Sequence, residues 1–109
     1  MPIDWTDYER VHADRRNLLI HLVAVPLFDV AFVVLLLGVV RGDLAWSGIA
    51  VAGMVSSMLL QRTGHGMESE APIPFSDPLN FLARWFREQF ITFPAFVASG
   101  RWWRRYADG

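Results

Sequence analysis

From Asn17 to Val40 the chain runs NLLIHLVAVPLFDVAFVVLLLGVV, 24 residues in which Asp29 is the one carboxylate and no arginine occurs. Wound as a helix this segment extends ~36 Å, enough to cross the ~30 Å hydrocarbon core of a bilayer. Few soluble folds use such a run, so it reads as a transmembrane helix. Arg15 and Arg16 lead directly into it, whereas a secretory signal has a shorter apolar run and a small-residue cleavage site. A second apolar stretch, Leu44 to Gln61, reads LAWSGIAVAGMVSSMLLQ. At ~27 Å it is marginal in length, but its Gly, Ala and Ser content suits close helix packing in lipid. Only Arg41-Gly42-Asp43 separates the two stretches, which predicts an antiparallel helical hairpin. Asp29 is costly at mid-membrane and is expected to face the bundle interior or a partner, either in a hydrogen bond to Ser56 or Ser57 or in a functional role.

The flanks read as helices lying at the membrane surface. Thr6 and Glu9 fit a capping box, after which Trp5, Tyr8, Val11 and His12 share one face. Further on, Asp77 can cap a helix that Pro78 opens, with Leu79, Leu82, Phe86, Phe90 and Phe93 at helical spacing and Arg84, Arg87 and Glu88 turned elsewhere. Phe90, Phe93 and Phe96 read as an anchoring and packing face, with an acyl channel as the alternative. Residues 71–74, Ala-Pro-Ile-Pro, must be extended between hairpin and tail, because each proline disfavours helix at the residue before it. The tail Arg101-Trp102-Trp103-Arg104-Arg105-Tyr106 alternates aromatic and basic groups as an interfacial anchor does. The expectation is an all-α fold forming one domain over residues 1–109: an integral membrane helical hairpin with flanking amphipathic or re-entrant helices. A homodimer would thicken so slender a bundle.

Charge and composition then remove whole classes of chemistry. All ten basic residues are Arg and there is no Cys, so a Schiff-base lysine, a thiol nucleophile and thiolate metal sites are excluded. The arginines are interspersed with aromatic residues and carboxylates, which gives no support to nucleic-acid binding and favours membrane lipid as a partner. Arg10, Arg15 and Arg16 precede the hairpin and Arg62 and five more follow it. The positive-inside rule therefore places both termini on the cytoplasmic side, and the expected location is a bacterial inner membrane.

Chemistry enters through three histidines, His12, His21 and His65. Imidazole is the commonest protein metal ligand and titrates near neutrality, and each of the three stands where an apolar segment begins or ends. Asn17 and His21 lie four apart on one helix face, as do Gln61, His65 and Glu68 at i, i+4 and i+7. His12 and His21 are nine apart and would point to opposite sides of a straight helix, so a shared centre requires a bend in Ala13 to Arg16. An antiparallel hairpin then brings Asn17, His21, Gln61, His65 and Glu68 together, joined by His12, and Gly64 and Gly66 leave room beside His65. Three histidines with Glu68 or Glu70 can supply the few N/O ligands and open positions that a ferrous site needs; they are too few for a histidine-rich membrane di-iron hydroxylase or desaturase. Asn17, Gln61 and Glu68 are the candidate catalytic polar groups. Arg15, Arg16 and Arg62, at the membrane edge, are candidates to hold a substrate carboxylate and are otherwise topology determinants.

Tyr8 and His12, Asn17 and His21 with Pro26, then Gln61, Gly64, His65, Glu68 and Pro72 follow one another in an order and spacing that resembles the Mpo1-like family, the former domain of unknown function 962. The likeness extends from about Tyr8 to Phe96. What the resemblance implies is a membrane-bound Fe(II)-dependent dioxygenase of fatty acid α-oxidation, converting a 2-hydroxy long-chain fatty acid and O2 to a fatty acid one carbon shorter, with the matched histidines as iron ligands. Two other classes stay open on the residues alone. A bis-histidine haem between His21 and His65 would make an electron carrier, and a non-catalytic membrane scaffold would work through the aromatic, arginine-rich C-terminus.

Overall fold

A computed structural model describes residues 3–71 and 73–108; Pro72 lies outside them. Every regular element among the described residues is helical: α1 (Trp5–Arg10), α2 (Arg15–Arg41), α3 (Leu44–His65), α4 (Pro78–Arg87), a π-helical turn (Glu88–Thr92), α5 (Phe93–Ala98) and α6 (Arg101–Asp108).

The hairpin forms as its sequence predicts, with each helix a little longer than its apolar run. Asp14 caps α2 by accepting from the Arg16 amide, and Asp43 caps α3 by accepting from the Trp46 amide. Both use the short acidic side chain that an N-terminus favours. Between the helices Gly42 adopts a φ of 67°, the left-handed geometry that closes a helix C-terminus and that only glycine adopts without strain. The two helices pack against each other along their length, and both are long and apolar enough to cross a membrane. Only 28% and 17% of their most apolar windows are buried. A core helix of a soluble domain buries most of such a window, so these outward faces fit a lipid-facing hairpin.

Three local expectations are corrected. Asp4, not Thr6, caps α1, accepting from the Asp7 amide; an aspartate stands one residue before the first helical turn and is the stronger cap. The Ser57 hydroxyl donates to the Ala24 carbonyl and the Ser56 hydroxyl to the Ala52 carbonyl, so neither serine meets Asp29, whose Oδ1 is buried without a partner. A hydroxyl in a helix finds a backbone carbonyl more readily than a distant carboxylate. Glu88 does not turn away with the arginines of its helix: it reaches Tyr8 on α1.

That last difference follows from Pro94. Lacking an N–H, it cannot sustain the regular ladder, and the helix widens into the π turn just before α5, a distortion often found at functional sites. The widened turn directs both Glu88 and Gln89 inward. Beyond it Phe93 and Phe96 are buried with Tyr8, Leu18, Val25 and Trp102, a core at the open end of the hairpin. They pack rather than line a channel, while Phe90 stays half-exposed on Phe86. The buried Trp102 ring seals α6 to the start of α2, its Nε1 donating to the Leu18 carbonyl at 3.0 Å.

Candidate metal centre

The open end of the hairpin places His21, one turn and a half into α2, beside His65, the last residue of α3. His12 reaches them from the bend Val11–Asp14 that joins α1 to α2. The three ring centroids lie 5.1, 4.8 and 4.7 Å apart in pairs, each pair nearly perpendicular. One ring nitrogen from each can be chosen so that all three lie within 4.8 Å of one another.

The hydrogen bonds set the ring orientations. Tyr8 O lies 2.7 Å from His12 Nδ1 and Asn17 O lies 3.1 Å from His21 Nδ1. A carbonyl only accepts, so each Nδ1 carries the proton and each Nε2 presents its lone pair. Both Nε2 atoms are buried without a hydrogen-bond partner, as is Nδ1 of His65. Orphaned buried nitrogens are costly, and a divalent cation satisfies them; a backbone acceptor behind each imidazole is the usual support of a metal-binding histidine. Burial, then the nearness of His21 and His65, holds the His12 imidazole well below its usual range against the opposing bond to Tyr8 O. The ring is thus neutral at physiological pH, the form that ligates.

Glu68 occupies a different place from the one its spacing suggested. Its carboxylate accepts from the Ala13 and Asp14 amides at 2.9 and 3.0 Å and from Asn17 Nδ2 at 2.6 Å, and it is not among the groups that converge with the histidines. The acid ties the bend that carries His12 to the end of α3. Glu70 pairs with Arg10 at 3.2 Å. Asn17, fully buried, links Glu68 to His21 through its side chain and its carbonyl. Its Oδ1 sits against Gly64, where any Cβ would overlap it. Gln61 is equally buried, and its amide exchanges hydrogen bonds with Gln89 at 2.8 and 2.9 Å and donates to Ser57. This closed amide pair joins α3 to the π turn one helical turn from His65.

Two further groups stand beside the cluster: Tyr8, which its spacing to His12 already pointed to, and Glu88, which helical spacing turned elsewhere. Tyr8 stacks on His12 with centroids 4.0 Å apart and planes 12° from parallel, and its hydroxyl donates to Glu88 Oε1 at 2.6 Å. Burial raises the Glu88 carboxyl to about 7, opposed by that bond, and burial with the neighbouring carboxylate holds the Tyr8 phenol well above its ordinary value. The sequence signal for Glu88 is the proline six residues on, which interrupts the regular helical ladder.

Of the three arginines expected near substrate, Arg15 donates to the Tyr106 carbonyl at 2.9 Å and Arg16 pairs with Asp14 at 2.9 Å. Arg62 alone lines the cavity onto which His12 and His65 open. That cavity holds about 730 Å³ between α1, the end of α3, the Ile73–Phe75 segment and α4, with walls that are mostly apolar. The arrangement can hold one cation on neutral nitrogen ligands with coordination positions left for small molecules, beside a space sized for an aliphatic ligand.

The model of one protein family, described as 2-hydroxy-palmitic acid dioxygenase Mpo1-like, matches residues 3–97. No curated protein and no solved structure matches the chain. The match takes in α1 through α5, and the chain belongs to the Mpo1-like family.

Proposed function

We propose that this Mpo1-like chain is a membrane-embedded Fe(II)-dependent dioxygenase that converts a 2-hydroxy fatty acid and O2 to a fatty acid one carbon shorter. With CO2 and water as the other products the conversion balances in atoms and electrons. The single observation that carries the reading is the triad itself: His12 and His21 each have Nδ1 on a backbone carbonyl and an orphaned, buried Nε2, with His65 against both. Family membership supports the reaction class and the substrate type.

His12, His21 and His65 would hold the ion. When bound, ferrous iron supplies the electron chemistry that lets dioxygen react with a closed-shell organic acid, and a neutral ligand set leaves positions open for it. The chain's own part is support and enclosure. Glu68 and Asn17 keep the bend and the first turn of α2 in register, so that His12 and His21 face each other. The Gln61–Gln89 pair holds the π turn against α3, and Tyr8 covers one face of His12 while Glu88 fixes its hydroxyl. The mostly apolar cavity walls suit an acyl chain. Both termini lie on the cytoplasmic side in this reading, in keeping with the arginines at the open end of the hairpin.

Two geometric points weigh against the alternatives. The His21 and His65 rings are 4.7 Å apart with His12 against both, which leaves no slot for a porphyrin plane between them. A scaffold has no use for three converging imidazoles with orphaned nitrogens. The test is oxygen uptake by iron-loaded protein in detergent or nanodiscs given 2-hydroxypalmitate. The expected result is iron-dependent uptake with release of the C15 acid; no uptake with any 2-hydroxy acid by folded, iron-loaded protein overturns the reading.

A further inference from the structure

The chain's exposed cations are not equivalent. Arg10 is paired with Asp7 and Glu70, Arg16 with Asp14, and Arg101 approaches Glu9. Arg84 donates to the Pro74 carbonyl at 3.2 Å and lies 4.4 Å from the Phe75 ring centroid, clipping the Ile73–Phe75 segment over the cavity. Arg62 and Arg87 also line this cavity, and among the described residues neither has a carboxylate within ion-pairing distance. The cavity's own acids are already engaged: Asp7 by Arg10, Glu88 by the Tyr8 hydroxyl, and Asp4 by the Asp7 amide. Arg62 and Arg87 are thus the lining's cations with neither an acid nor another hydrogen-bond acceptor beside them among the described residues, in a space whose walls are mostly apolar.

Position along α3 orders this lining. Arg62 precedes His65 by three residues and is its neighbour on the helix surface, ~5–6 Å away at Cβ. Met58 and Leu59 follow one turn farther from the histidine and line the same cavity as Phe81 and Trp85 of α4. Histidine, cation and apolar wall thus succeed one another along α3. Resting on the reading of the histidines as the reaction centre, we propose that Arg62 and Arg87 form the carboxylate clamp of this site, gripping an anionic single-chain amphiphile by its head while its chain lies between α3 and α4 along Met58, Leu59, Phe81 and Trp85. Arg62 and Arg87 come from different elements, so the clamp also fixes which way the acid enters, with its head toward His65 and its chain running away from it.

Direct binding tests the clamp without turnover. The probe is 2-hydroxyoctanoate, short enough to stay in water, titrated calorimetrically and anaerobically into the iron-loaded chain; 1,2-octanediol, with the same chain length and no carboxylate, is the comparison. R62Q and R87Q are each expected to weaken binding of the acid about tenfold, the scale of one charge-assisted hydrogen bond, and to leave the diol and the iron content unchanged. R62K/R87K should restore part of the affinity, and R16Q, whose partner is Asp14, should change nothing. Three results overturn the clamp: no binding of the acid by the wild-type chain, unchanged acid affinity in R62Q/R87Q, or an equal loss for acid and diol, which marks a packing defect. Absence of oxygen uptake together with arginine-dependent acid binding would sink the dioxygenase reading and leave the clamp standing. Normal uptake with unchanged acid affinity in R62Q/R87Q would do the reverse.

Discussion

At the scale of single residues, what separates a ligand from its support is where its hydrogen bonds already go. His12 and His21 spend Nδ1 on carbonyls and keep Nε2 unpartnered, whereas both Glu68 oxygens are taken by backbone amides and Asn17. In the proposed site Glu68 acts as a positioning residue, and its substitutions separate this role from ligation. Glu68→Ala should lower iron affinity by roughly 10–100-fold, the usual cost of removing a group that orients a ligand. Glu68→Gln should retain more of it than Ala does, because an amide oxygen still accepts from the Ala13 and Asp14 amides, although its NH2 cannot accept from Asn17. Equal damage from Gln and Ala, read by competitive chelator titration, would show that the negative charge itself reaches the metal. Glu88 carries a pH signature. Its folded value of about 7 lies above its ordinary 4.5, so the folded state holds the proton more tightly. The stability this contributes is complete below pH 4.5 and is lost as pH rises through about 7. Chemical unfolding measured across that window should show the decline in the wild type and a flatter profile in Glu88→Gln; identical profiles would contradict it.

Elements position these residues, and two of the positions depend on how closely backbones approach. At the open end α3 meets α2 where Gly64 faces Asn17, and a Cβ there would overlap Oδ1. Gly64→Ala should therefore cost roughly 1–3 kcal/mol, the range for overpacking a close-fitted contact, and should release iron by displacing Asn17 from Glu68. A thermal melt and iron assay indistinguishable from wild type would show that the helices can part without consequence. The hairpin was legible in the sequence because two apolar runs, a three-residue turn with glycine and an arginine bias are local signals. The histidine cluster was legible too, once an antiparallel hairpin and a bend near Ala13 to Arg16 were combined. Glu88 and the Gln61–Gln89 pair were not, because regular helical spacing turns Glu88 outward and only the π turn before Pro94 brings it to Tyr8. The role of Glu68 was hidden for a related reason: i+7 spacing puts it on the His65 face, but α3 ends at His65. Past that end the chain bends back toward the α1–α2 junction, where two amides capture the carboxylate.

At the scale of the whole molecule, the proposed function assigns the chemistry to one end of a hairpin and leaves the rest to hold it in lipid. The core of Tyr8, Leu18, Val25, Phe93, Phe96 and Trp102 gathers at the histidine end, and the far end shows apolar faces outward. The three proposed ligands come from three places in the chain, the α1–α2 bend, α2 and the last residue of α3, so iron binding reports whether the assembled end exists as described. The most direct measurement is iron per chain after anaerobic reconstitution and desalting of the wild type and of His12→Ala, His21→Ala and His65→Ala, each checked for native helix content by circular dichroism. The account predicts one iron per wild-type chain and a large loss of retained iron in each variant. Full occupancy in any of the three folded variants would contradict it.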